Sequence, residues 1–492
     1  MKIRLLNNDA VCEAENNETL LAALVRGGIV IDAPCGGRGL CGKCKVRLID
    51  GKVRFPAGQT PPGDILPACR GIPETGLTIE LLADDGFVQN EVDAAAGTVK
   101  TPARAGMALD LGTTTLSAQL VDIDSHEILD TRSELNDQRA FGADVMSRIN
   151  AARNGKTGDL FTLINRQTEK IVRYFREKWG ISKIESLVVA GNTTMLHLFT
   201  NTDPSPLGEI PFTPVFLEMR RFGGGELSLS VEQVTILPSI AAFIGGDIVS
   251  GLASLNILAG ADNSLLIDIG TNGEIALSHG GRIYCCSTAA GPALEGAEIS
   301  CGMGGVSGAI SRISRENGSL AFSVIGGGEP RGICGSGLID IMALMLREGI
   351  IDETGALDDA YGEGLAFTRE ISVINRDVRQ YQLAKSAIFS GIKILCKHAG
   401  LGLADIKTVY IAGGLGFFID KENAVATGLL PREFLDKIAV CGNLSLRGAL
   451  NCLEKEESFL ECCKDIIAKS VSIDLAADSA FMDEFAENML FQ

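Results

Sequence analysis

The chain carries no excess of positive charge: 44 lysines and arginines face 62 aspartates and glutamates, for a formal net charge of −18. Affinity for a nucleic-acid backbone rests on basic side chains displacing counterions, so nucleic acid is not an expected partner. Long hydrophobic runs are lacking as well. The opening residues, Met1-Lys2-Ile3-Arg4-Leu5-Leu6-Asn7-Asn8-Asp9, contain no apolar stretch of signal-peptide length, and the apolar run from Ile236 to Ala261 is interrupted by Asp247 and several glycines. Neither export nor a membrane span is expected, which places the protein in the cytoplasm. In that compartment 14 cysteines are not disulfide staples, so their spacing has to account for them. What the chain has in quantity is material for folding: 492 residues, 46% of them hydrophobic, enough for about three domains.

Three cysteines fall on Pro34-Cys35-Gly36-Gly37-Arg38-Gly39-Leu40-Cys41-Gly42-Lys43-Cys44, and a fourth follows in Leu66-Pro67-Ala68-Cys69-Arg70. Three thiolates on one glycine-rich loop and a remote fourth are what a 2Fe-2S cluster of the plant or vertebrate type requires. The glycines let the backbone wrap the cluster and turn N–H groups toward its sulfurs. A structural zinc site is the alternative, but zinc knuckles usually pair two C-x2-C steps. Around the loop, residues 2–6 and 11–15 alternate like a hairpin, Thr19 to Val25 reads as a helix capped by Glu18-Thr19, and Lys45 to Ile49 as a strand. That order is a β-grasp ferredoxin. Cys12 lies outside the pattern and is expected in the core. Residues 85–105 show no sustained periodicity and read as a linker.

Beyond the linker, two similar stretches stand out. Met107 to Asp110 runs into Leu111-Gly112-Thr113-Thr114, and Ser264 to Asp268 into Ile269-Gly270-Thr271-Asn272-Gly273, each reading as strand, tight glycine turn, strand. Glycine opens backbone N–H groups to an anion, threonine adds a donor, and the aspartate can hold a divalent cation directly or through water. Two copies point to two lobes facing one polyphosphate. Asp247 is an acid in apolar surroundings, where an unpaired carboxylate is costly unless it meets a cation or a water. Gly191-Asn192-Thr193-Thr194 ends a buried strand and opens a helix, a ligand position in α/β folds or an ordinary cap. Helices are expected from Ala140 to Ile149, from Asp159 to Trp179, from Ala289, and from Tyr381 to His398. Thr408 to Ala412 reads as a buried strand ending in the sharp loop Gly413-Gly414-Leu415-Gly416, where a flat base could lie on bare backbone.

The segments at 110–114, 268–273 and 412–416 resemble, in order, the phosphate-1, phosphate-2 and adenosine motifs of the superfamily of acetate kinase, sugar kinases, heat-shock chaperones and actin (ASKHA). A ferredoxin module joined to such a body resembles the reductive activators of corrinoid-dependent methyltransferases, and the similarity extends to residues 481–491. The resemblance implies a mixed α/β and α+β chain: a β-grasp 2Fe-2S domain at residues 1–84, the linker, one ASKHA lobe at 106–240 and a second at 241–492. It implies ATP and Mg2+ held by Asp110, Gly112, Thr113, Thr114, Asp268, Gly270, Thr271, Asn272, Gly273, Gly413, Gly414 and Gly416. Asp247 falls where sugar kinases carry their catalytic aspartate, with Asp268 as the second catalytic acid. The cluster ligands are Cys35, Cys41, Cys44 and Cys69. The implied reaction is ATP-dependent, one-electron reduction of cob(II)amide to cob(I)amide in a corrinoid protein, fed by an upstream electron donor; a homodimer is left open. Larger relatives place a linker and a middle region between ferredoxin and body, for which this chain leaves little room. Some relatives hold two 4Fe-4S clusters on a C-terminal cysteine run, but Cys452, Cys462 and Cys463 lack that spacing. Cys285, Cys286, Cys301 and Cys334 receive no role.

Two other activities fit parts of the pattern. One is an electron-injecting ATPase like the activators of 2-hydroxyacyl-CoA dehydratases, since Cys286-Ser287-Thr288-Ala289-Ala290-Gly291 faintly resembles their cysteine-alanine-alanine-glycine segment; the terminal ferredoxin would then be redundant. The other is a small-molecule kinase with a redox module. A ferredoxin-like carrier on a degenerate scaffold is disfavoured because three nucleotide motifs stand in order.

Overall fold

The computed structural model describes residues 1–6, 10–31, 33, 35–39, 43–56, 63–82, 87–88, 101–260, 263–316, 319–414 and 419–491. These fall into two compact units. The first joins residues 1–86 with 135–170 and 197–215; the second comprises 87–134, 171–196 and 216–492.

In the first unit a five-stranded sheet runs Val11–Glu13, Lys2–Leu5, Leu77–Leu81, Lys45–Asp50, Ile65–Pro67, with Lys2–Leu5 parallel to Leu77–Leu81 and its other pairings antiparallel. Alternation sets the inner face: Ile3 and Leu5 are fully buried while Lys2 and Arg4 point outward. The helix Leu20–Arg26 starts where the Thr19 hydroxyl accepts the Ala22 N–H at 3.3 Å, and it packs Leu20 and Leu24 onto the sheet. This is the β-grasp arrangement, and Cys12 sits in its core. The same core takes in Ala140 and Leu163 from the 135–170 segment. The expected helix from Ala140 to Ile149 is broken there. A short 3-10 turn, Asp137–Phe141, ends at Gly142, and Asp144 then caps the helix Val145–Ala151.

The second unit repeats one plan in two sheets. In the first, the central strand Ala105–Leu111 has Thr115–Asp122 and Ile128–Leu135 in succession on one side, and Ile184–Gly191 and Val231–Ile236 on the other. In the second, Ser264–Ile269 is flanked likewise by Gly273–His279 and Arg282–Thr288, and by Thr408–Ala412 and Ile438–Gly442. Strands one and two are antiparallel and strands four and five run parallel to the first, so the register sets Asp110 beside Ala190 and Asp268 beside Ala412. Central strands flanked on both sides read as nearly continuous apolar runs, as 105–109 and 264–267 do. After the fifth strand each lobe sends a helix inward, Gly246–Ser254 and Leu444–Glu454. The two meet with Gly251 against Leu444 and Gly448 against Ser250, so close that a Cβ at residue 448 would lie 2.3 Å from the Ser250 Cβ. One apolar cluster, from Ala108 and Val188 to Leu266 and Ala412, runs through this junction.

The helix expected from Ala289 is instead a 3-10 turn, Pro292–Glu295, between Gly291 and Gly296, both at positive φ. The helix expected from Tyr381 begins earlier, at Asn375, and runs to Ala399. On its flank lies the segment 481–491. Lys385, 1% exposed, donates to the Asn488 carbonyl at 2.8 Å and the Leu490 carbonyl at 2.5 Å, Gln382 donates to the Met489 carbonyl, and Phe491 stacks on Tyr381. Burial pushes the Lys385 ammonium down to about 8. No helix among the described residues is long and apolar enough to cross a membrane.

Candidate functional site

The first site begins with a loop that only glycine can trace. Gly36, Gly37 and Gly39 take φ of +60°, +79° and +75°, and a Cβ on Gly39 would collide with the Arg70 guanidinium. That guanidinium donates to the Arg38 carbonyl at 2.8 Å, and Arg38 donates to the Cys35 carbonyl at 2.9 Å, bracing the loop from both ends. Cys35, Cys44 and Cys69 are 7%, 1% and 7% exposed. The Cys44 and Cys69 sulfurs share a hydrogen bond that lowers the Cys44 thiol to about 6 and raises that of Cys69. Cys41 and Gly42 lie outside the described residues. Three buried thiols gathered on a glycine cradle suit an iron–sulfur cluster: soft donors, little solvent, and backbone close enough to give N–H groups to sulfur. Among the described residues no cysteine is in a disulfide.

The second site lies in the two-lobed unit, where both glycine turns come together. The Thr114 and Thr271 hydroxyl oxygens are 3.3 Å apart. Both hydroxyls donate to one oxygen of Glu295, Thr114 at 2.8 Å and Thr271 more closely still. Thr113 is buried and accepts from Asn192 Nδ2 at 2.9 Å, while Asn192 Oδ1 caps the helix Thr193–Phe199 through the Met195 N–H. Of the two readings of this segment, Asn192 takes the cap position, and its amide also holds Thr113 of the first turn. The turns themselves are tight: the Gly112 N–H reaches the Thr115 carbonyl at 3.1 Å and the Gly270 N–H the Asn272 carbonyl at 3.0 Å. Gly273 differs, because a Cβ there would strike Thr288 and Ile388. Its glycine is required by packing.

Acids surround the turns. Asp110 accepts from Asn443 Nδ2 and Ser445 Oγ, both at 2.7 Å, from the entry of the Leu444–Glu454 helix; burial raises its carboxyl and these two donors offset part of the rise. Asp247 stands in the first turn of Gly246–Ser254 and accepts the Ile248 N–H at 2.8 Å. Burial, aided by the charge of Asp110, pushes it up to about 7. Asp268 is pushed up to about 8, by burial first and then by the charges of Asp247, Asp110 and Glu295. Glu274 is raised well above the usual carboxylate range by burial and by Asp247 and Asp268. Carboxyls that hold protons because they are buried and crowd one another are the group a divalent cation would discharge. Sequence reasoning singled out Asp247 and Asp268 but not Asn443, Ser445, Glu274 or Glu295.

The loop after Thr408–Ala412 supplies a third wall. Gly413 has φ +90°, and a Cβ there would lie 2.6 Å from the Ile269 carbonyl oxygen and 2.7 Å from Asp268 Oδ1. At Gly414 a Cβ meets no described atom within 4 Å, and Leu415 and Gly416 lie outside the described residues. Gly413→Ala is therefore expected to cost roughly 1–3 kcal/mol of stability, since L-residues are strained at that φ. Gly414→Val should fold normally yet weaken nucleotide binding; thermal melting and ATP titration of both variants check this, and unchanged ATP affinity in Gly414→Val would move the base elsewhere. Cys286 is fully buried, its sulfur faces the Gly391 carbonyl, and burial raises its thiol. It is a core residue rather than a thiolate offered to an intersubunit cluster.

Comparison with known proteins covers most of the chain. Residues 3–74 match the 2Fe-2S iron-sulfur cluster binding domain, residues 105–259 the RACo middle region, and residues 262–492 the C-terminal domain of RACo, described as the ASKHA domain. The chain therefore does carry a middle region, contrary to the expectation that it leaves little room for one, and its residues 105–259 extend past the expected lobe boundary at 240. The corrinoid activation enzyme RamQ of Eubacterium limosum is 36% identical over 78% of this chain and 70% of its own length. The [Co(II) methylated amine-specific corrinoid protein] reductase of Methanosarcina barkeri is 30% identical over 74% of this chain and 73% of its own. A solved reductive activator for corrinoid,iron-sulfur protein superposes with a TM-score of 0.74 at 29% identity, covering 100% of this chain and 98% of the other.

Proposed function

The chain belongs to the family of corrinoid-protein reductive activators, and from that premise we propose that it returns an oxidised corrinoid protein from cob(II)amide to cob(I)amide, one electron at a time, at the expense of ATP. The observation that carries the reading is the union in one chain of a buried thiol cradle with two hydroxyl-bearing turns ringed by acids. Cys35, Cys41, Cys44 and Cys69 would hold the 2Fe-2S cluster, which supplies one-electron storage when bound. Arg38 and Arg70 fix the loop backbone around it. An upstream reductant would supply the electron.

The need for ATP is energetic. If the acceptor couple lies about 300 mV below the donor, each electron costs roughly 7 kcal/mol, taking about 59 mV per factor of ten. Polyphosphate bound by Thr113, Thr114 and Thr271 ties one lobe to the other, so binding energy becomes lobe closure and a changed docked complex. Asp247 and Asp268 are assigned to Mg2+ and to the attacking water, with Asp110 held by Asn443 and Ser445 at the back of the site. Gly413 packs against Ile269 and Asp268, and Gly414 leaves backbone free for the base. The reaction is placed in the cytoplasm, where thiols stay reduced.

The test is anaerobic reduction of a cob(II)amide protein followed optically with and without ATP. Cobalt(I) absorbance that rises only with ATP and reductant together is the expected result; reduction at equal rate without nucleotide would remove the ATPase from the reaction.

A further inference from the structure

Resting on the nucleotide reading above, we infer that Glu295 is a positioning residue that occupies the phosphate site in the absence of nucleotide and must be displaced by polyphosphate. Its carboxylate takes the two hydroxyl donors that face each other across the lobes. Glu295 Oε2 accepts from Thr114 at 2.8 Å and from Thr271, and the two hydroxyl oxygens stand 3.3 Å apart on either side. An oxyanion bound to a turn of each lobe is the arrangement a phosphate oxygen would adopt there, and a carboxylate oxygen carries similar charge and accepting geometry. Glu295 also reaches the second turn itself, since a Cβ on Gly270 would lie 3.8 Å from Glu295 Oε1.

The placement is built into the chain. Glu295 closes the 3-10 turn Pro292–Glu295, bounded by Gly291 at φ +75° and Gly296 at φ +81°. A Cβ on Gly296 would lie 2.2 Å from the Met303 carbonyl oxygen, and Ala293 and Leu294 are buried in the lobe core. These contacts anchor the backbone of the turn, so the carboxylate reaches the hydroxyls from a packed base and only its side chain has to swing away.

Two consequences follow from charge. A hydroxyl proton given to Glu295 is not available to a phosphate, so a nucleotide has to win both donors from it. Glu295 also adds its negative charge beside the turns that Asp110, Asp247 and Asp268 already surround. Polyphosphate entering this site meets repulsion that a divalent cation relieves, and Glu295 thereby makes binding depend on the cation more steeply than the two turns alone would.

The experiment titrates ATP and inorganic tripolyphosphate, each with and without magnesium, into the full chain and into Glu295→Gln and Glu295→Asp. Glu295→Gln removes the charge, and both ligands should bind at least about tenfold tighter, with the larger gain in the absence of magnesium. Glu295→Asp keeps the charge but is a methylene too short to span both hydroxyls, so its gain should be smaller. Weaker binding by Glu295→Gln would overturn the inference and make Glu295 a ligand of the bound cation; unchanged binding would overturn it and leave a structural acid. Tripolyphosphate separates this inference from the nucleotide reading. If tripolyphosphate binds and responds to Glu295 while ATP does not bind, the adenosine assignment fails and Glu295 stands; if neither binds any of the three proteins, both fail.

Discussion

Replacing Cys44 by alanine is expected to abolish the cluster and all corrinoid reduction while leaving ATP affinity within about twofold of the parent, because additivity holds for sites with no shared partners. Cys44 is the least exposed of the described loop cysteines and shares a hydrogen bond with Cys69. Cys44 and Cys69 belong to the core that runs from Ile3 to Ile79, but most of that core is aliphatic, and the β-grasp sheet should persist. Iron content, the visible spectrum and ATP titration on the same sample decide the matter. Two irons per chain in the parent and none in the variant is the expected pair of values for a cluster held by four thiolates. Loss of ATP binding together with the iron would mean that the two sites are not independent.

The second large effect concerns Asp247 and Asp268, and it has a pH signature. In the absence of a cation their carboxyls sit at about 7 and about 8, against an ordinary value of 3.8. Between about pH 4 and those values the folded chain therefore holds protons that the unfolded chain has already released. Stability from this source is complete below about pH 4 and falls as pH rises through 7 to 8, by proton linkage. Magnesium nucleotide expels the same protons, so its affinity should rise with pH across that window. Asp268→Asn should flatten both profiles and weaken MgATP binding by about a hundredfold or more, since the charge opposing the cation is gone. Asp247→Asn should bind MgATP nearly normally but hydrolyse it about a hundredfold more slowly, as expected when a group that orients the attacking water is lost. Thermal melts from pH 6 to 8.5 and steady-state hydrolysis test the pair. Wild-type hydrolysis by Asp247→Asn would make it a satisfied structural acid.

What could be read from the sequence is what local geometry enforces. The cysteine loop, the two strand–glycine–strand turns and the strand ahead of Gly413 are written in short stretches, because φ angles, hydrogen-bonded turns and two-residue periodicity are local properties. The strand from Thr408 to Ala412 agrees residue for residue, and the Thr19 cap is where the hydroxyl required it. The residues that complete the site were not legible for the opposite reason. Asn443 and Ser445 meet Asp110 from more than three hundred positions away, and Asn443 in its own context is an ordinary helix cap. Glu295 looked like the first turn of a helix after Ala289 because its neighbours are good helix formers; two glycines at positive φ stop the helix and turn the carboxylate toward the threonines. Gly273 looked like part of an anion cradle, but Thr288 and Ile388 press against it. Fold-level pairing, which sequence spacing does not encode, decided each of these.

The latch formed by Lys385 bears on how the protein is made. Its ammonium is buried among acceptors contributed by residues 488 and 490, about a hundred positions downstream. On a translating ribosome the helix Asn375–Ala399 emerges long before those carbonyls exist, and domains are synthesised at about 5–20 residues per second. During that interval Lys385 has no protein acceptor for its charge and Tyr381 no Phe491 to stack on, so the second lobe waits with one face open to water. The first unit's ferredoxin sheet, completed within residues 2–81, is under no such delay. Synthesis thus completes the strands of the ferredoxin sheet, and the Ala140 and Leu163 side chains that join its core, long before the residues that cover Lys385.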